Sequence, residues 1–355
     1  MQQTVISPLA KRLSPYVPGE QPKGRQKIIK LNTNENPYPP SPRVAPAVAQ
    51  AMEHLRLYPD PTSHALRQAI AKAEGLSVEE VFVGNGSDEV LGLCFPAFFA
   101  GQAQPVQFAD ITYSFYEVYA QLFGVAVQKI PLTADFCIDL PAFCQGAAGG
   151  ILIPNPNAPT GIALTLSEIE QILHTNPQCL VLIDEAYVAF GAQSAASLIG
   201  RYENLLVVRT LSKSHALAGL RVGYALGNRQ LIHALTSVKD SFNSYPVDQL
   251  AQAGAQAAIE DASYTQARCE EIQATRTWFC QELRNRGFTV LPSQANFVFA
   301  SPPDGDGKGC FAKLRARQVL VRHFDKPRIS GYLRITIGTR EEMQALLDAL
   351  DEEGQ

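Results

Sequence analysis

Seven short apolar runs, set among stretches of helical periodicity, constrain the fold of this chain more than any other feature. The runs lie at residues 81–83, 105–108, 125–127, 151–153, 180–183, 205–208 and 222–226. Short runs that are apolar throughout are typical of strands buried on both faces of a mostly parallel sheet. Helical patterns occupy 64–74, 87–99, 112–123 and 167–175, and Ser167-x-x-Glu170 opens the last with the spacing of a capping box. We therefore expect an open α/β sheet over roughly residues 40–240.

The pattern changes after about residue 245. Residues 247–286 are rich in Ala, Gln, Glu and Arg and have helical periodicity without a strand-like run. Apolar runs then return at 289–291, 296–299, 319–321 and 332–337, with helical stretches at 308–317 and 340–353. Four prolines among the first 22 residues predict an extended arm. We expect an arm (1–30), a large α/β domain (31–245) and a small C-terminal α+β domain (246–355).

The composition excludes several classes of protein. Apolar types make up 46% of the 355 residues and charged types 18%, with a formal net charge of −4. The apolar content is too high for a disordered chain, and no basic excess favours binding to nucleic acid, so a small-molecule substrate is expected. The absence of a signal-peptide pattern and of about 18 consecutive apolar residues predicts a cytoplasmic protein that does not enter a membrane. Seven cysteines without C-x-x-C spacing and six histidines without H-x-x-x-H spacing predict reduced thiols and no metal site.

The sequence Gly-Asn-Gly-Ser-Asp-Glu at 84–89 follows the first apolar run and opens a helical stretch. Glycines permit close approach of a ligand to the backbone, and N–H groups at a helix start attract an anion, most often phosphate. Taken alone, the segment fits better an ordinary turn capped by Ser87 or Asp88. It matches neither the dinucleotide-binding fingerprint nor the P-loop, so those two kinds of site are disfavoured.

Two further segments carry candidate chemistry. Asp184 ends the fifth apolar run, where open α/β sheets place their ligand sites, and it is either a helix cap or an acid paired with a cationic group of a ligand. Residues 209–224 connect two predicted buried strands and contain Lys213 and Arg221 eight residues apart. A buried lysine is a candidate Schiff-base nucleophile and an arginine fits a phosphate dianion. The set as a whole is poorly explained as a solvated surface loop.

At these residues the chain resembles the fold-type I pyridoxal-phosphate (PLP) aminotransferases, and among them the histidinol-phosphate aminotransferases. The matching segments run in family order at 31–38, 58–61, 84–89, 112–113, 156–161, 184–187, 210–224, 296–297, 320–322 and 333–339. Ser-Lys at 212–213 and Asp-Glu-Ala-Tyr at 184–187 are specific for the superfamily. Asn-Glu-Asn-Pro at 34–37 and Arg-Ile-Thr-Ile-Gly-Thr at 334–339 indicate the subfamily. The resemblance implies a large cofactor-binding domain with a mostly parallel sheet, a smaller α+β domain, and PLP as the cofactor.

The resemblance also assigns cofactor roles residue by residue. Lys213 would bond covalently to the cofactor and move a proton during catalysis. Asp184 would keep the pyridine nitrogen protonated, Tyr187 would reach the phenolic oxygen, and Tyr113 would stack on the ring. The residues expected around the cofactor phosphate are Ser87, Asp88, Ser212 and Arg221, together with Tyr58 contributed by the other subunit of a homodimer.

One position departs from the family pattern. The usual Pro-Asn-Asn-Pro-Thr-Gly is here Pro-Asn-Ala-Pro-Thr-Gly at 156–161, which places Ala158 where the family has an amide for the phenolic oxygen of the cofactor. Either Asn157 takes that contact through a shifted backbone or Tyr187 bears it alone. We expect Asn157 to take it.

For the substrate, Arg322 and Arg334 match the anion-binding arginines of the family, although an arginine on a strand is most often an edge charge. Histidinol phosphate has no carboxylate, so the resemblance directs both arginines to its phosphate. Tyr16 and Asn36 are expected to complete the pocket, and Asn296 to orient the cofactor or to help close the two domains.

The activity implied is amino transfer between histidinol phosphate and 2-oxoglutarate in histidine biosynthesis, interconverting histidinol phosphate and imidazole-acetol phosphate. An aromatic amino-acid aminotransferase or an amino-acid-phosphate decarboxylase on the same scaffold needs the same lysine, aspartate and arginines, so both stay open. A PLP-sensing regulator is disfavoured because about 30 residues before the body are too few for a DNA-binding module. A nicotinamide-dependent dehydrogenase is disfavoured because the glycine fingerprint is missing.

Overall fold

A computed structural model describes residues 5–15, 19–21, 28–146 and 148–351. The strands in these residues are β1 Ile29–Lys30, β2 Val81–Asn85, β3 Val106–Ala109, β4 Val127–Ile130, β5 Gly150–Pro154, β6 Val181–Asp184, β7 Leu205–Thr210, β8 Val222–Gly227, β9 Thr289–Val290, β10 Phe297–Ser301, β11 Val319–Leu320, β12 Arg322–His323 and β13 Leu333–Thr336. The α-helices are α1 Pro8–Arg12, α2 Val44–Met52, α3 His64–Glu74, α4 Gly86–Cys94, α5 Phe115–Phe123, α6 Leu140–Phe143, α7 Leu166–Thr175, α8 Arg229–Phe242, α9 Gln249–Ile259, α10 Ala262–Asn285, α11 Gly307–Ala316 and α12 Arg340–Asp351. Of the helices in these described ranges, none has both the length and the apolar character needed to cross a bilayer.

The large sheet contains seven strands in the order β2-β8-β7-β6-β5-β3-β4. The five strands β3 to β7 are all parallel to one another. Strand β8 is antiparallel to both of its neighbours, β2 and β7. Each of the seven predicted apolar runs overlaps one strand of this sheet. The prediction of an open, mostly parallel α/β sheet is confirmed.

The central strands of the large sheet are covered on both faces, which explains their runs of consecutive apolar residues, whereas the edge strand β4 exposes Gln128 and Lys129. On β5, the side chains of Ile151 and Ile153 belong to one hydrophobic cluster and that of Leu152 belongs to another, and all three are fully buried. Strands β6 and β7 repeat this alternation. A polar side chain on either face would lose its hydration without a partner. Polar residues therefore collect mainly where the central strands end.

The start of α7 differs from the sequence prediction. Thr165, and not Ser167, caps this helix: its Oγ1 accepts from the N–H of Glu168 at 3.3 Å, and the Glu168 carboxylate accepts from the N–H of Thr165 at 2.7 Å. Both Thr-x-x-Glu and Ser-x-x-Glu match the capping-box pattern. The earlier start prevails because Thr165 has the extended backbone of an N-cap residue, and Glu170 is left to pair with Arg201 at 2.6 Å.

A small antiparallel sheet has the strand order β12-β13-β10-β9 and shares a hydrophobic core with α10, α11 and α12. The long helical sequence at 247–286 forms two helices, α9 and α10. Helix α9 packs against α2 and α3, with Ala251 and Ala255 in the same cluster as Leu66 and Ile70. By its packing α9 belongs with the large sheet, although it follows the predicted boundary at residue 245. The division into 1–30, 31–245 and 246–355 itself stays a prediction.

The chain passes between the two sheets just after β1. Strand β1 pairs in parallel with β11, and Leu31 is buried in the core of the small sheet. The following residues, 32–36, then run between the small sheet and the segment that follows β7. Contacts made by this stretch decide much of the geometry of the site.

Candidate active site

A cavity of about 170 Å³ lies at the carboxyl ends of β5, β6 and β7, between the large and the small sheet. Open parallel sheets bind ligands at this edge because the connections that leave neighbouring strands diverge there. Most of the site residues predicted from the sequence line the cavity: Ser87, Asp88, Tyr113, Asp184, Tyr187, Ser212, Lys213, Arg221, Arg322 and Arg334. Long-range folding therefore brings together residues that are up to 247 positions apart in the chain.

Lys213 follows β7 and projects toward the segment after β1, where its Nζ donates to the backbone oxygen of Thr33 at 3.0 Å. Burial, together with the nearby charge of Arg334, lowers the pKa of Lys213 to about 8. A lysine amine with a pKa close to neutrality has a substantial uncharged fraction and can act as a nucleophile or as a base.

Asp184 is the last residue of β6 and is 5% exposed. Its carboxylate accepts hydrogen bonds from the Tyr116 hydroxyl at 2.9 Å and from the N–H of Ala186 at 3.2 Å. Burial raises the pKa of Asp184 to about 6 in spite of these two donors. Asp184 caps no helix of the described chain, since the next helical turn begins at Val188 with Tyr187 at its N-cap position. A buried acid on a cavity wall is suited to a cationic group of a ligand.

The start of α4 forms an anion cradle with Arg221. Gly86 has a φ of +79°, and a Cβ at this position would lie 2.6 Å from Nη2 of Arg221, so glycine is required for both backbone conformation and space. Nη2 of Arg221 also donates to the Asp88 carboxylate at 3.1 Å. The sequence favoured a turn in which Ser87 or Asp88 caps the helix. That prediction is wrong, because α4 already begins at Gly86 and its N-cap residue is Asn85, whose side chain makes no capping hydrogen bond. The first N–H groups of α4 and the guanidinium are together suited to a phosphate.

Two tyrosines face each other across the cavity and are held by different partners. The Tyr113 hydroxyl donates to the Asp88 carboxylate at 2.7 Å, and its ring meets that of Tyr116 edge to face with centroids 5.7 Å apart. The Tyr187 hydroxyl accepts from Nδ2 of Asn34 at 2.9 Å, and its ring packs edge to face on Phe297. These contacts orient both rings before any ligand binds.

Arg322 and Arg334 are directly paired across β12 and β13. Both guanidinium groups lie 5.6 Å from the ring centroid of Phe324, and Nη2 of Arg334 donates to the backbone oxygen of Asn32 at 3.1 Å. Among the described residues that line the cavity, the four cationic side chains of Lys213, Arg221, Arg322 and Arg334 outnumber the acidic side chains of Asp88 and Asp184. The cavity is therefore suited to a ligand set with more than one anionic group.

Asn157 is not among the described residues that line this cavity, although it was expected to supply an amide to the cofactor. Its Nδ2 donates to the backbone oxygen of Ile111 at 3.1 Å and to Oγ1 of Thr160 at 3.0 Å, and its Oδ1 accepts from Thr112 at 3.1 Å. Both amide hydrogens are therefore used within the surrounding loops. The cavity wall at this point is Ala158.

Asn36 also differs from its predicted role in substrate binding. Its Nδ2 donates to the backbone oxygens of Lys213 at 2.9 Å and Ser214 at 3.3 Å, and its Oδ1 accepts from the N–H of Tyr38 at 3.0 Å. The side chain thus supports the backbone that carries the lysine and does not line the cavity. Its three contacts explain why an asparagine, which donates and accepts, is placed here.

Two other predicted residues are not in the cavity wall. Tyr58 is on the surface, 83% exposed, and its ring is tilted by 31° against that of Tyr245, with 4.8 Å between the centroids. Tyr16 lies outside the described residues.

Sequence reasoning missed Asn34, Thr33 and Tyr116 as individual contributors to the site. Thr33 and Asn34 lie within the Asn-Glu-Asn-Pro region that was singled out, but that motif names residue types and not the directions of their groups. Tyr116 is three residues after Tyr113 and close to the start of α5, a spacing that places both on one side of a helix start. That spacing is a signal that could have identified Tyr116.

The chain is similar over nearly its whole length to known aminotransferases. Residues 26–350 match the family described as aminotransferase class I and II. The histidinol-phosphate aminotransferase of Acinetobacter baumannii (strain SDF) is 54% identical over 352 residues, 98% of this chain and 96% of that protein. Histidinol-phosphate aminotransferase 1 of Bordetella parapertussis is 56% identical over 347 residues, 97% of each chain. The crystal structure of histidinol-phosphate aminotransferase from Sinorhizobium meliloti in complex with pyridoxal-5′-phosphate is 25% identical, covers 98% of this chain and 97% of that one, and superposes with a TM-score of 0.87.

Proposed function

The chain belongs to the family of class I and II aminotransferases, and we propose that it transfers an amino group between L-histidinol phosphate and 2-oxoglutarate in histidine biosynthesis, with pyridoxal 5′-phosphate as its cofactor. The observation that carries the proposal is the 54–56% identity, over at least 97% of this chain, to histidinol-phosphate aminotransferases. The geometry of the cavity supports it independently, through a buried lysine, a buried acid and several anion-binding groups.

The residues of the cavity fit pyridoxal phosphate. When bound, this cofactor supplies an aldehyde carbon that accepts an amine and an electron-withdrawing ring next to it. The anion cradle at the start of α4 would hold its phosphate, Tyr113 would stack on its ring, and Asp184 would pair with its ring nitrogen; Ser87, Tyr113 and Asp184 all line the cavity. The raised pKa of Asp184 supports this fit, because a cation placed against a buried carboxylate offsets the cost of its charge.

Lys213 is the group of this chain that forms a covalent bond and moves a proton. With a pKa of about 8 the amine gives up its proton near neutral pH at modest cost, and the Thr33 oxygen holds Nζ at 3.0 Å on the cavity side. Such a base can take a proton from the substrate carbon and return it elsewhere. Asn36 keeps the backbone of Lys213 fixed while the side chain moves.

Asp184 would hold a proton on the ring nitrogen of the cofactor by remaining ionised beside it. The Tyr116 hydroxyl donates to one oxygen of this carboxylate and the N–H of Ala186 donates to the other, and both donors stabilise its charged form. By keeping the ring nitrogen positive, Asp184 would act most strongly when charge develops in the transition state.

Arg322 and Arg334 bind the anionic groups of both substrates in turn. One substrate carries a phosphate and the other two carboxylates, and all of these accept paired hydrogen bonds from guanidinium groups. The stacking of both guanidinium groups on Phe324 orients them without using their donors.

The test of this function is a panel of amino donors assayed with 2-oxoglutarate: histidinol phosphate, phenylalanine, tyrosine and threonine phosphate. We expect the highest kcat/KM with histidinol phosphate. A preference for phenylalanine, or release of carbon dioxide from threonine phosphate, would identify one of the two rival activities.

Replacement of Arg322 by alanine is expected to lower kcat/KM for histidinol phosphate roughly 30- to 5000-fold, because losing one of two charge-assisted contacts to a phosphate costs about 2–5 kcal/mol. Phenylalanine has a single carboxylate, which Arg334 can hold, so its smaller kcat/KM should change much less. The measurement is kcat/KM for both donors, with Arg201→Ala as the control, since Arg201 is exposed and pairs with Glu170 on α7. An equal loss for both donors would contradict the phosphate role of Arg322.

We also propose that the protein is a homodimer whose sites contain groups from both chains. Tyr58 (83% exposed), Phe242 (81%) and Tyr245 (43%) lie uncovered at the surface, and burial of apolar surface of this kind drives association. Nδ2 of Asn85 donates to the backbone oxygen of Pro246 at 2.8 Å, which ties the segment next to Tyr245 to the start of α4. A second chain covering this surface would bring its own Tyr58 to the anion cradle.

The cytoplasmic location is likewise a proposal, in keeping with the free state of the seven cysteines.

Mixing two inactive chains is expected to restore activity if the sites are shared. One chain carries Lys213→Ala and keeps Tyr58, and the other carries Tyr58→Ala and keeps Lys213. Random exchange makes about half of the dimers mixed with one complete site each, so about a quarter of wild-type activity should return at limiting cofactor. Activity that only equals the sum of the two separate variants would exclude shared sites.

A further inference from the structure

Asn34 connects the small sheet to the Tyr187 hydroxyl. The residue is 1% exposed and forms part of the cavity wall. Its backbone N–H donates to Oγ1 of Thr336 at 3.0 Å, and its Oδ1 accepts from the same hydroxyl at 3.2 Å. Its backbone oxygen accepts from Nδ2 of Asn296 at 3.0 Å, and its own Nδ2 donates to Oη of Tyr187 at 2.9 Å. Three contacts thus fix Asn34 to the small sheet, and the fourth orients a cavity tyrosine.

The backbone of Asn34 has a conformation that favours asparagine. Its φ of +55° lies in the left-handed region, where asparagine is found several times more often than other non-glycine residues. The two hydrogen bonds with Thr336 hold this conformation. The result is a side chain in which one of the two amide N–H groups donates to the Tyr187 oxygen.

The other amides near the cavity are used elsewhere. Asn157 donates both amide hydrogens to Ile111 and Thr160, and the next residue, Ala158, has none. Of the asparagines among the described lining residues, Asn32 donates to the backbone oxygen of Glu20 at 2.8 Å, which leaves Asn34 as the one that donates to Tyr187. The amide that acts on this side of the cavity therefore comes from the segment after β1 and not from the loop at 156–161.

We propose that Asn34 is a positioning residue for the cofactor: by donating to Oη of Tyr187 it sets the direction of that hydroxyl and strengthens it as a donor to the ring oxygen of bound pyridoxal phosphate. This inference rests on the proposed function. A hydroxyl that accepts one hydrogen bond becomes a better donor of its own proton, because the two bonds polarise each other. Since Asn34 is fixed to Thr336 and Asn296, the orientation of Tyr187 depends on the position of the small sheet.

The test is a pH titration of the visible absorbance of the holoenzyme, which reports the proton shared near the ring oxygen. Four proteins are compared: wild type, Asn34→Gly, Tyr187→Phe and the double variant. Glycine accepts the left-handed backbone and removes the side-chain amide together with its Oδ1 contact to Thr336, while the backbone N–H contact to Thr336 stays. We expect Asn34→Gly to raise the apparent pKa by about 0.5–1 pH unit, because an oxygen with a weakened donor holds a proton more tightly. Tyr187→Phe should raise it further, and the double variant should equal Tyr187→Phe.

An unchanged pKa in Asn34→Gly, or the same added shift in the Tyr187→Phe background, would overturn the inference, since Asn34 would then not act through Tyr187. Asn34→Asp provides a second variant of nearly the same shape in case the glycine variant does not fold. Its carboxylate takes the Tyr187 proton for itself, so we expect a larger rise than with glycine, and no rise would contradict the proposal. The wild-type protein distinguishes failure of the proposed function from failure of the role of Asn34. If the wild type binds no pyridoxal phosphate at Lys213, the proposed function fails as well. A normal wild-type titration with unaffected variants refutes only the role of Asn34.

Discussion

Replacement of Lys213 by alanine is expected to abolish amino transfer, with turnover falling about 10⁴-fold or more, because the variant lacks both the nucleophile and the base. No other lysine is among the described residues that line the cavity, so no neighbouring amine can take over. The measurement is turnover with histidinol phosphate, combined with borohydride reduction and mass spectrometry of the peptide that contains residue 213.

The control for this variant is Lys129→Ala. Lys129 is a half-exposed lysine on β4 that pairs with Glu117, away from the cavity, and its loss should leave turnover and cofactor attachment unchanged. The Lys213→Ala protein is still expected to bind pyridoxal phosphate non-covalently, since Arg221 and the start of α4 are intact. Near wild-type turnover, or cofactor fixed by borohydride to another lysine, would show that the assignment of Lys213 is wrong.

Replacement of Asp184 by asparagine is expected to lower kcat about 10²–10³-fold with little change in KM. The size is that of removing one preorganised electrostatic group from a transition state, and the role proposed for Asp184 is toward the cofactor ring and not toward the substrate. Stopped-flow measurement of the proton-abstraction step, set beside the equilibrium affinity for substrate, checks this separation. Equal losses in affinity and in the chemical step would indicate a structural role instead.

Asp184→Glu is the matched variant, since it keeps the charge and shifts its position, and it should lose less activity than asparagine. The stability of the apoprotein gives a further check, because Asp184→Asn should lower activity without lowering stability. The pKa of Asp184 is raised to about 6 in the folded apoprotein, above its value in the unfolded chain. The free energy of unfolding therefore falls as the pH rises between these two pKa values, and it stays lower at higher pH. Apo Asp184→Asn should therefore be at least as stable as the wild-type apoprotein at pH 8, and a large destabilisation would contradict the cause given for the shift.

Local patterns were sufficient for the parts of the molecule that depend on neighbouring residues. Helix α3 covers residues 64–74, as its periodicity predicts. Each strand of the large sheet overlaps a run of consecutive apolar residues, and in the central strands burial on both faces leaves no room for alternation. The positions of Asp184 at the end of β6 and of Lys213 after β7 follow from the same strand boundaries.

Three asparagines show where local patterns stop. Asn34, Asn36 and Asn157 all belong to motifs that the sequence analysis singled out, and each has the same donors and acceptors. Their partners are decided by residues far away in the chain: Tyr187 for Asn34, the backbone of Lys213 for Asn36, and Ile111 for Asn157. Nothing in the identity of an amide specifies which of these partners will be near. Asn36 and Asn157 therefore lie outside the cavity lining in which they were expected, and Asn34, which was not named individually, lies in it. The roles expected of Asn36 and Asn157 stay predictions.

The sequence by itself determined the mostly parallel α/β class, the order of the strands along the chain and the residue types that can carry amino transfer, because apolar periodicity and motif spacing act over a few residues. The tertiary structure alone decided that β8 enters the large sheet antiparallel between β2 and β7, that α9 packs with the large sheet, and that Arg322 and Arg334 share one cavity with Lys213. These outcomes depend on the packing of surfaces separated by a hundred residues or more. The direction of a side-chain amide or guanidinium is set last, by whichever buried donor or acceptor that packing leaves within hydrogen-bonding distance.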